Sequence, residues 1–370
     1  MTFPIHIDPD ITRARTLPAA AYRSTEVYDL AVADLFPRTW QMVSVSEKVR
    51  GSGQMAPWPF MEGSVNEPLL AVRDDAGSPS IISNVCTHRG ALLVEEPGIT
   101  QTIRCRYHGR QFQLDGRCKF MPEFQDVVDF PADDDHLKSV ACAQWGPFLF
   151  ASLDPMCTFE EWLGPIRSRI GWMPLDDFHH DPETSRSYHV DANWALYNDN
   201  YLEGFHIPYI HPGLMPILDN KAYRTEVFDQ GSLQIGIASP GEDAFTLPAD
   251  HPDAGQAIAG YYIFLFPNTL LNFYPWGLSV NLILPQGKGR TRIDYLSYVW
   301  DASRRSLGAG SDLHTVEMED HAVVASVQRG IQSRIYRRGR YSPTREAGVH
   351  HFHRLLAGNL NESWERRQSP

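Results

Sequence analysis

Two short segments, Cys86-Thr-His88 and, after a sixteen-residue gap, Cys105-Arg-Tyr-His108, each pair one thiol with one imidazole. No other feature restricts this chain as tightly. Each segment presents its two donors from a tight loop, and the loops can clamp one small inorganic unit only if the fold brings them face to face. Two chemistries suit such a donor set. Tetrahedral zinc accepts two cysteines and two histidines. A [2Fe–2S] cluster accepts them too, when two histidines replace two cysteines on one iron and raise its potential. Spacing alone leaves both open.

The remaining cysteines do not compete for that role. The chain has five in 370 residues, and Cys118, Cys142 and Cys157 form no ligand pair. An odd, sparse set in a long chain is not a disulfide framework, so these three read as small apolar thiols. A 42% hydrophobic content predicts a packed core. The balance of 33 basic against 45 acidic side chains, with no dense basic run, argues against nucleic acid as a partner. No apolar run is long enough to span a bilayer, and the acids of MTFPIHIDPDITRAR stand where a signal peptide needs an apolar segment. A cytoplasmic protein is expected.

Three regimes follow along the chain. Residues 1–40 read as a helical lead-in, with helical spacing over Thr25–Trp40 ended by Pro37. Residues 41–155 alternate short apolar runs (PLLAV, SIISNV, GPFLFASL) with Gly, Pro and Asp clusters, the signature of a small antiparallel β domain. Residues 156–370 hold longer segments. Strands are predicted at Tyr261–Phe266, Leu270–Trp276, Ser279–Leu284 and Ile293–Trp300, and a long helix over Asp312–Arg338. A last helix places Val349, Phe352, Leu355, Leu356 and Leu360 on one face. The fold class expected is α+β, a β domain set into, or beside, an α+β domain.

A second set of metal donors lies in Asn198-Asp-Asn200-Tyr-Leu-Glu203-Gly-Phe-His206-Ile-Pro-Tyr-Ile-His211. Glu203 and His206 share a helical face. His206 and His211 would point about 140° apart on a regular helix, and Pro208 between them breaks the ladder so that both can reach one ion. Two histidines and a carboxylate with open positions make the facial triad of non-haem iron oxygenases. The carboxylate has two sources, Glu203 or a distant acid in TVEMEDHAVVASVQ. On a helical wheel, Val316, Val323, Val324, Val327 and Ile331 fall within about 60° of Asp320, which places it mid-stripe on an apolar face. A buried carboxylate needs an ion pair or a metal. Glu319 lies about 100° from Asp320 and Glu317 at the stripe's edge, and both read as solvated charges, as do His350, His351, His353 and the pair His179-His180.

The segments CTHRG (86–90) and CRYHG (105–109) closely resemble the cluster loops of the Rieske non-haem iron oxygenases, and the resemblance extends through the histidine motif to the late helix. It implies a Rieske [2Fe–2S] cluster on Cys86, His88, Cys105 and His108. It implies a mononuclear Fe(II) held by His206, His211 and Asp320 in a helix-grip catalytic domain with a twisted antiparallel sheet. Asn200 matches an Asn near that iron. Glu203 matches an acid that bridges His206 to the cluster histidine, here His108, of a neighbouring copy in a head-to-tail homotrimer. Most members carry Asp there; Glu resembles the branch acting on quaternary ammonium compounds such as choline, glycine betaine and carnitine. Two departures stand out: Arg110 replaces a frequent Trp beside the cluster, which would change a donor-docking surface, and Asp199 replaces the usual Glu.

The resemblance further implies an NAD(P)H-dependent flavin or iron–sulfur reductase as electron donor, O2 as co-substrate and a hydroxylated or dealkylated small molecule as product. The chain has no glycine-rich dinucleotide fingerprint, so the nicotinamide belongs to the reductase. Tyr261, Tyr262, Phe264, Phe266, Phe273, Tyr274, Trp276 and Tyr209 can seat a cation, though aromatics at period two are ordinary strand core and no more than two are expected to touch substrate. An aromatic ring hydroxylase or aromatic acid demethylase is the alternative substrate reading. An electron carrier or a zinc-stapled binding protein is the alternative class.

Overall fold

In the computed structural model, which describes residues 3–368, short alternating segments between Pro37 and Met156 form small antiparallel sheets and one compact unit. Met1, Thr2, Ser369 and Pro370, the outer ends of the expected lead-in and last segment, lie outside the described residues. The strands are β1 (Gln41–Met42), β2 (Gln54–Phe60), β3 (Glu67–Arg73), β4 (Pro79–Ser83), β5 (Gly98–Ile99), β6 (Ile103–Arg104), β7 (Gln111–Phe112), β8 (Cys118–Phe120), β9 (Ala141–Trp145) and β10 (Phe148–Ser152). They pair in the orders β4-β3-β2-β5, β1-β10-β9 and β6-β7-β8. Leu70, Val72, Ile82, Ile103 and Phe112 close a core that also takes in Cys86, Cys105 and Cys118. Apolar burial therefore anchors both cluster loops at their cysteines.

The second unit joins the residues up to Phe36 to those from Cys157 onward. Its helices are α1 (Ala19–Arg23), α2 (Thr25–Leu30), α3 (Phe159–Leu163), α4 (Arg167–Ile170), α5 (Trp194–Tyr201), α6 (Ile207–Ile210), α7 (Leu313–Gly330) and α8 (Ala347–Gln368). Its strands are β11 (His179–His180), β12 (Arg186–Val190), β13 (Arg224–Phe228), β14 (Gly231–Ile237), β15 (Ile258–Leu265), β16 (Thr269–Tyr274), β17 (Gly277–Pro285) and β18 (Thr291–Val299). All pair antiparallel in one sheet, ordered β11-β18-β17-β16-β15-β14-β13 with β12 also on β18. Helix α5 packs on β17 and against α7, and α8 lies on β13 and β14, so the sheet grips the helices on one face. The class is α+β, with the helix-grip arrangement in this unit. No helix among the described residues is long and apolar enough to cross a membrane.

Three local expectations are corrected. The lead-in is helical only in part: α2, capped by Ser24, passes into a π-helical turn at Ala31–Leu35 and a 3₁₀ turn at Phe36–Arg38. Helix α7 stops at Gly330 and not at Arg338. Residues beyond it run alongside the lead-in, where Ala19 N bonds Arg337 O at 2.8 Å and Thr16 N bonds Gly339 O at 3.2 Å. The last-helix histidines are not solvated as a group: His350 and His353 are buried, and His353 accepts from Tyr341 Oη at Nδ1 (2.6 Å). Its Nε2 meets Asp199 at 2.8 Å, and Asp199 also accepts from Tyr22 Oη at 2.5 Å. Asp199 thus ties the lead-in to α8.

Candidate metal centres and substrate pocket

The two cluster loops share one backbone design. In each, the amide of a cysteine donates to the carbonyl five residues on, Cys86 to Ala91 and Cys105 to Arg110, both at 2.8 Å. In each, a glycine four residues on returns its amide to the cysteine carbonyl, at 2.9 Å for Gly90 and 3.0 Å for Gly109. Both glycines hold φ near +75°, at 72° and 79°, a conformation that L residues rarely take. The turns bury Cys86 and Cys105 and leave the imidazoles of His88 and His108 partly exposed, their rings 4.8 Å apart. Burial, with the charges of His108 and Arg89, pushes the His88 pKa down towards the neutral form that ligates metals. Neighbouring thiols of Cys86 and Cys105 and two imidazole rings on paired loops supply the donor set of a Rieske-type [2Fe–2S] cluster.

Arg110 is not a docking surface. It is only 1% exposed, with its guanidinium over the Phe130 ring (5.1 Å) and bonded to the Asp135 carboxylate. The Asp135 carbonyl accepts from Thr87 Oγ1 at 2.8 Å, so one residue braces both loops.

The histidine motif folds differently from a broken helix. Helix α5 ends at Tyr201, and Glu203-Gly-Phe forms a turn before the single-turn α6. His206 stands at the N-cap of α6 and His211 at its C-cap, where the backbone leaves the helical region (φ −113°, ψ 75°). Pro208 sits at the start of α6, where its missing amide costs nothing. Glu203 reaches across the turn. Its Oε2 accepts from the amides of Phe205 and His206, and its Oε1 takes His206 Nδ1 at 2.8 Å.

That bond turns His206 Nε2 towards His211 Nε2, 3.1 Å away. Asp320 on α7 completes the group, with Oδ1 3.1 Å from His211 Nε2 and 3.7 Å from His206 Nε2. These ligand atoms lie within 4.8 Å of one another, a set able to hold one metal ion. Asn200 Nδ2 donates to Asp320 Oδ1 at 2.7 Å.

Glu319, expected in solvent, instead bonds His211 Nδ1 at 2.7 Å. Burial alone would lower the His211 pKa, but the bonds and charges of Asp320 and Glu319 outweigh it and raise it. Each histidine therefore has a carboxylate on Nδ1 and its Nε2 free for metal, the usual support of a metal-bound imidazole. The stripe around Asp320 is only partly buried: Val324 is enclosed, whereas Val327 is 44% exposed.

The triad opens on a cavity with about 750 Å³ of unfilled space, counting its mouth. Tyr262 and Tyr274 of the sheet line it, while Tyr209 is 77% exposed and Tyr261, Phe264, Phe266, Phe273 and Trp276 pack elsewhere. Tyr197, Tyr201 and Tyr223 also line it. Sequence reasoning missed these three, because aromatics on a helix and in a loop carry no period-two signal. Glu317 is the other correction. It lies half-buried in the cavity wall, and burial with the Asp320 charge pushes its pKa up to about 8, against the opposing pull of Arg186.

Residues 39–131 match the Rieske [2Fe-2S] domain, and residues 175–362 the ring hydroxylating alpha subunit (catalytic domain). The chain is 31% identical to choline monooxygenase, chloroplastic, of Arabidopsis thaliana, over 95% of this chain and 85% of that one. It is 27% identical to the carnitine monooxygenase oxygenase subunit of Escherichia coli (strain K12), over 93% of each. A solved quaternary ammonium Rieske monooxygenase, described with inter-subunit electron transfer, superposes with TM-score 0.77 at 22% identity, covering 96% of this chain and 100% of that one; at that identity the likeness shows the fold. Paired Cys/His loops in one unit and a two-histidine, one-carboxylate cavity in the other thus coincide with both family matches, and the chain belongs to the Rieske non-haem iron oxygenases as an α (terminal oxygenase) subunit.

Proposed function

We propose that this subunit oxidises a quaternary ammonium compound, hydroxylating it or removing an N-alkyl group after hydroxylation beside nitrogen. The observation that carries the reading is the cavity whose wall five tyrosines share with the His206, His211 and Asp320 donors. Ring faces attract a desolvated ammonium, and the choline and carnitine monooxygenases among the relatives support that substrate class. When bound, the cluster supplies electrons singly and ferrous iron activates O2.

The chain's own residues do the rest. Cys86, His88, Cys105 and His108 hold the cluster, and His206, His211 and Asp320 hold the iron. Glu203 and Glu319 keep a proton on Nδ1 of their histidines, so that Nε2 stays free to ligate. Asn200 orients the Asp320 carboxylate. The tyrosine walls exclude water from the reacting carbon. Electrons come from an NAD(P)H-dependent reductase, and Glu203 links His206 to His108 of a neighbouring copy in a homotrimer.

Reductase-coupled oxygen uptake against choline, glycine betaine, carnitine and a panel of aromatic acids tests the substrate class. Turnover of a quaternary ammonium compound with stoichiometric product is expected. Uptake coupled only to an aromatic acid would refute it.

A further inference from the structure

Of the acids lining the cavity, Glu203 and Asp320 are spoken for. Glu203 is bound by His206 and two backbone amides, and Asp320 by Asn200 beside the two imidazoles. Glu317 is not. It stands three residues before Asp320 on α7, hence on the neighbouring turn of the same face. Its carboxylate makes no hydrogen bond or ion pair among the described residues, and the half-buried side chain lines the cavity. A half-buried carboxylate without a hydrogen-bonded partner is costly, so Glu317 by itself holds its proton up to about pH 8, and a cation seated beside it would favour the ionised form.

The rest of the wall agrees. Among the described residues, no lysine or arginine lines the cavity. The nearest guanidinium groups, Arg186 and Arg305, line an adjoining chamber that meets the cavity at Ser279, Leu313 and Glu317. Arg305 is paired there with Asp181 at 2.9 Å, and Arg186 donates to the carbonyls of Glu183 and Ser185, its charge acting on Glu317 only as a pull weaker than burial and the Asp320 charge. Tyrosine rings by themselves attract an ammonium whatever else the molecule carries. A lone carboxylate distinguishes by sign: it favours a net cation and repels a second, anionic group on the same small molecule.

Resting on the quaternary-ammonium reading above, we propose that Glu317 is the counter-charge of the substrate's ammonium and makes the site prefer a net cation, such as a choline-type amino alcohol, over a zwitterionic betaine. The test compares the holoenzyme and its Glu317→Gln and Glu317→Asp variants, with reductase, on choline, glycine betaine and the uncharged choline isostere 3,3-dimethyl-1-butanol as substrates or competing ligands. Iron content and cluster absorbance serve as the folding control.

Loss of one close charge pair predicts that Glu317→Gln lowers kcat/KM for choline by about tenfold or more, chiefly through KM. The isostere should change by less than about twofold, since it carries no charge to lose. The choline-to-betaine preference falls in step, and Glu317→Asp restores most of it. If choline and the isostere weaken together, or the preference is unchanged, Glu317 merely shapes the wall and the proposal is overturned while the substrate class stands. If the unaltered enzyme turns over no quaternary ammonium compound, both fall.

Discussion

Glu203 and Glu319 come from different parts of the chain and give two histidines the same support. Each carboxylate takes an Nδ1, at 2.8 Å for His206 and 2.7 Å for His211, and so directs an Nε2 towards Asp320. Outer carboxylates of this kind typically contribute roughly 10–100-fold to metal affinity. Glu319→Ala is therefore expected to weaken binding of the mononuclear iron by about that factor, read by chelator competition, with the cluster spectrum unchanged. Unaltered iron affinity would contradict the role. The sequence could not reveal it: a helical wheel sets Glu319 off the Asp320 stripe, and nothing local says that His211, 108 positions earlier, arrives beside it. Asp320 itself was legible, because a carboxylate amid valines asks for a partner. So were Cys86, His88, Cys105 and His108, whose spacing is the loop geometry. Glu317 was misread for the same reason as Glu319, since the wheel ranks faces by apolar neighbours and cannot see a cavity.

The strands predicted over residues 261–300 fall on β15 to β18, because alternation and β-branched or aromatic content are local signals. Helix ends were harder. The pattern through Arg338 has no proline or second glycine to stop it, and α7 ends because the following backbone bonds to the lead-in instead. The His206–His211 segment was read as one helix broken by Pro208, whereas two backbone turns place the imidazoles. Helix α8 supports that geometry from behind. A Cβ at Gly348 would lie 2.4 Å from the Leu202 carbonyl oxygen, next to Glu203. Such overpacking against backbone costs about 1–3 kcal/mol, so Gly348→Ala is expected to lower the thermal midpoint and to weaken iron binding with it. Gly358→Ala on the same helix, where a Cβ meets nothing within 4 Å, is the control and should be neutral or mildly stabilising. Equal behaviour of the two variants would separate α8 from the iron site.

Taken whole, the chain is an iron–sulfur unit inserted between a lead-in and the catalytic unit to which that lead-in belongs. Its composition, −12 in net charge, argues against nucleic acid as the natural partner but does not point to a substrate. What distinguishes an oxygenase from an electron carrier is a second metal centre, independent of the first, in the catalytic unit. The most direct test measures iron content, cluster absorbance and reductase-coupled oxygen uptake for the wild-type protein and Asp320→Ala. The wild type is expected to carry about three irons per chain, two in the cluster and one mononuclear. Asp320→Ala is expected to lose about one of them, keep the cluster absorbance and show no substrate-dependent oxygen uptake. Full iron content with turnover retained in Asp320→Ala would contradict the assignment of the catalytic centre.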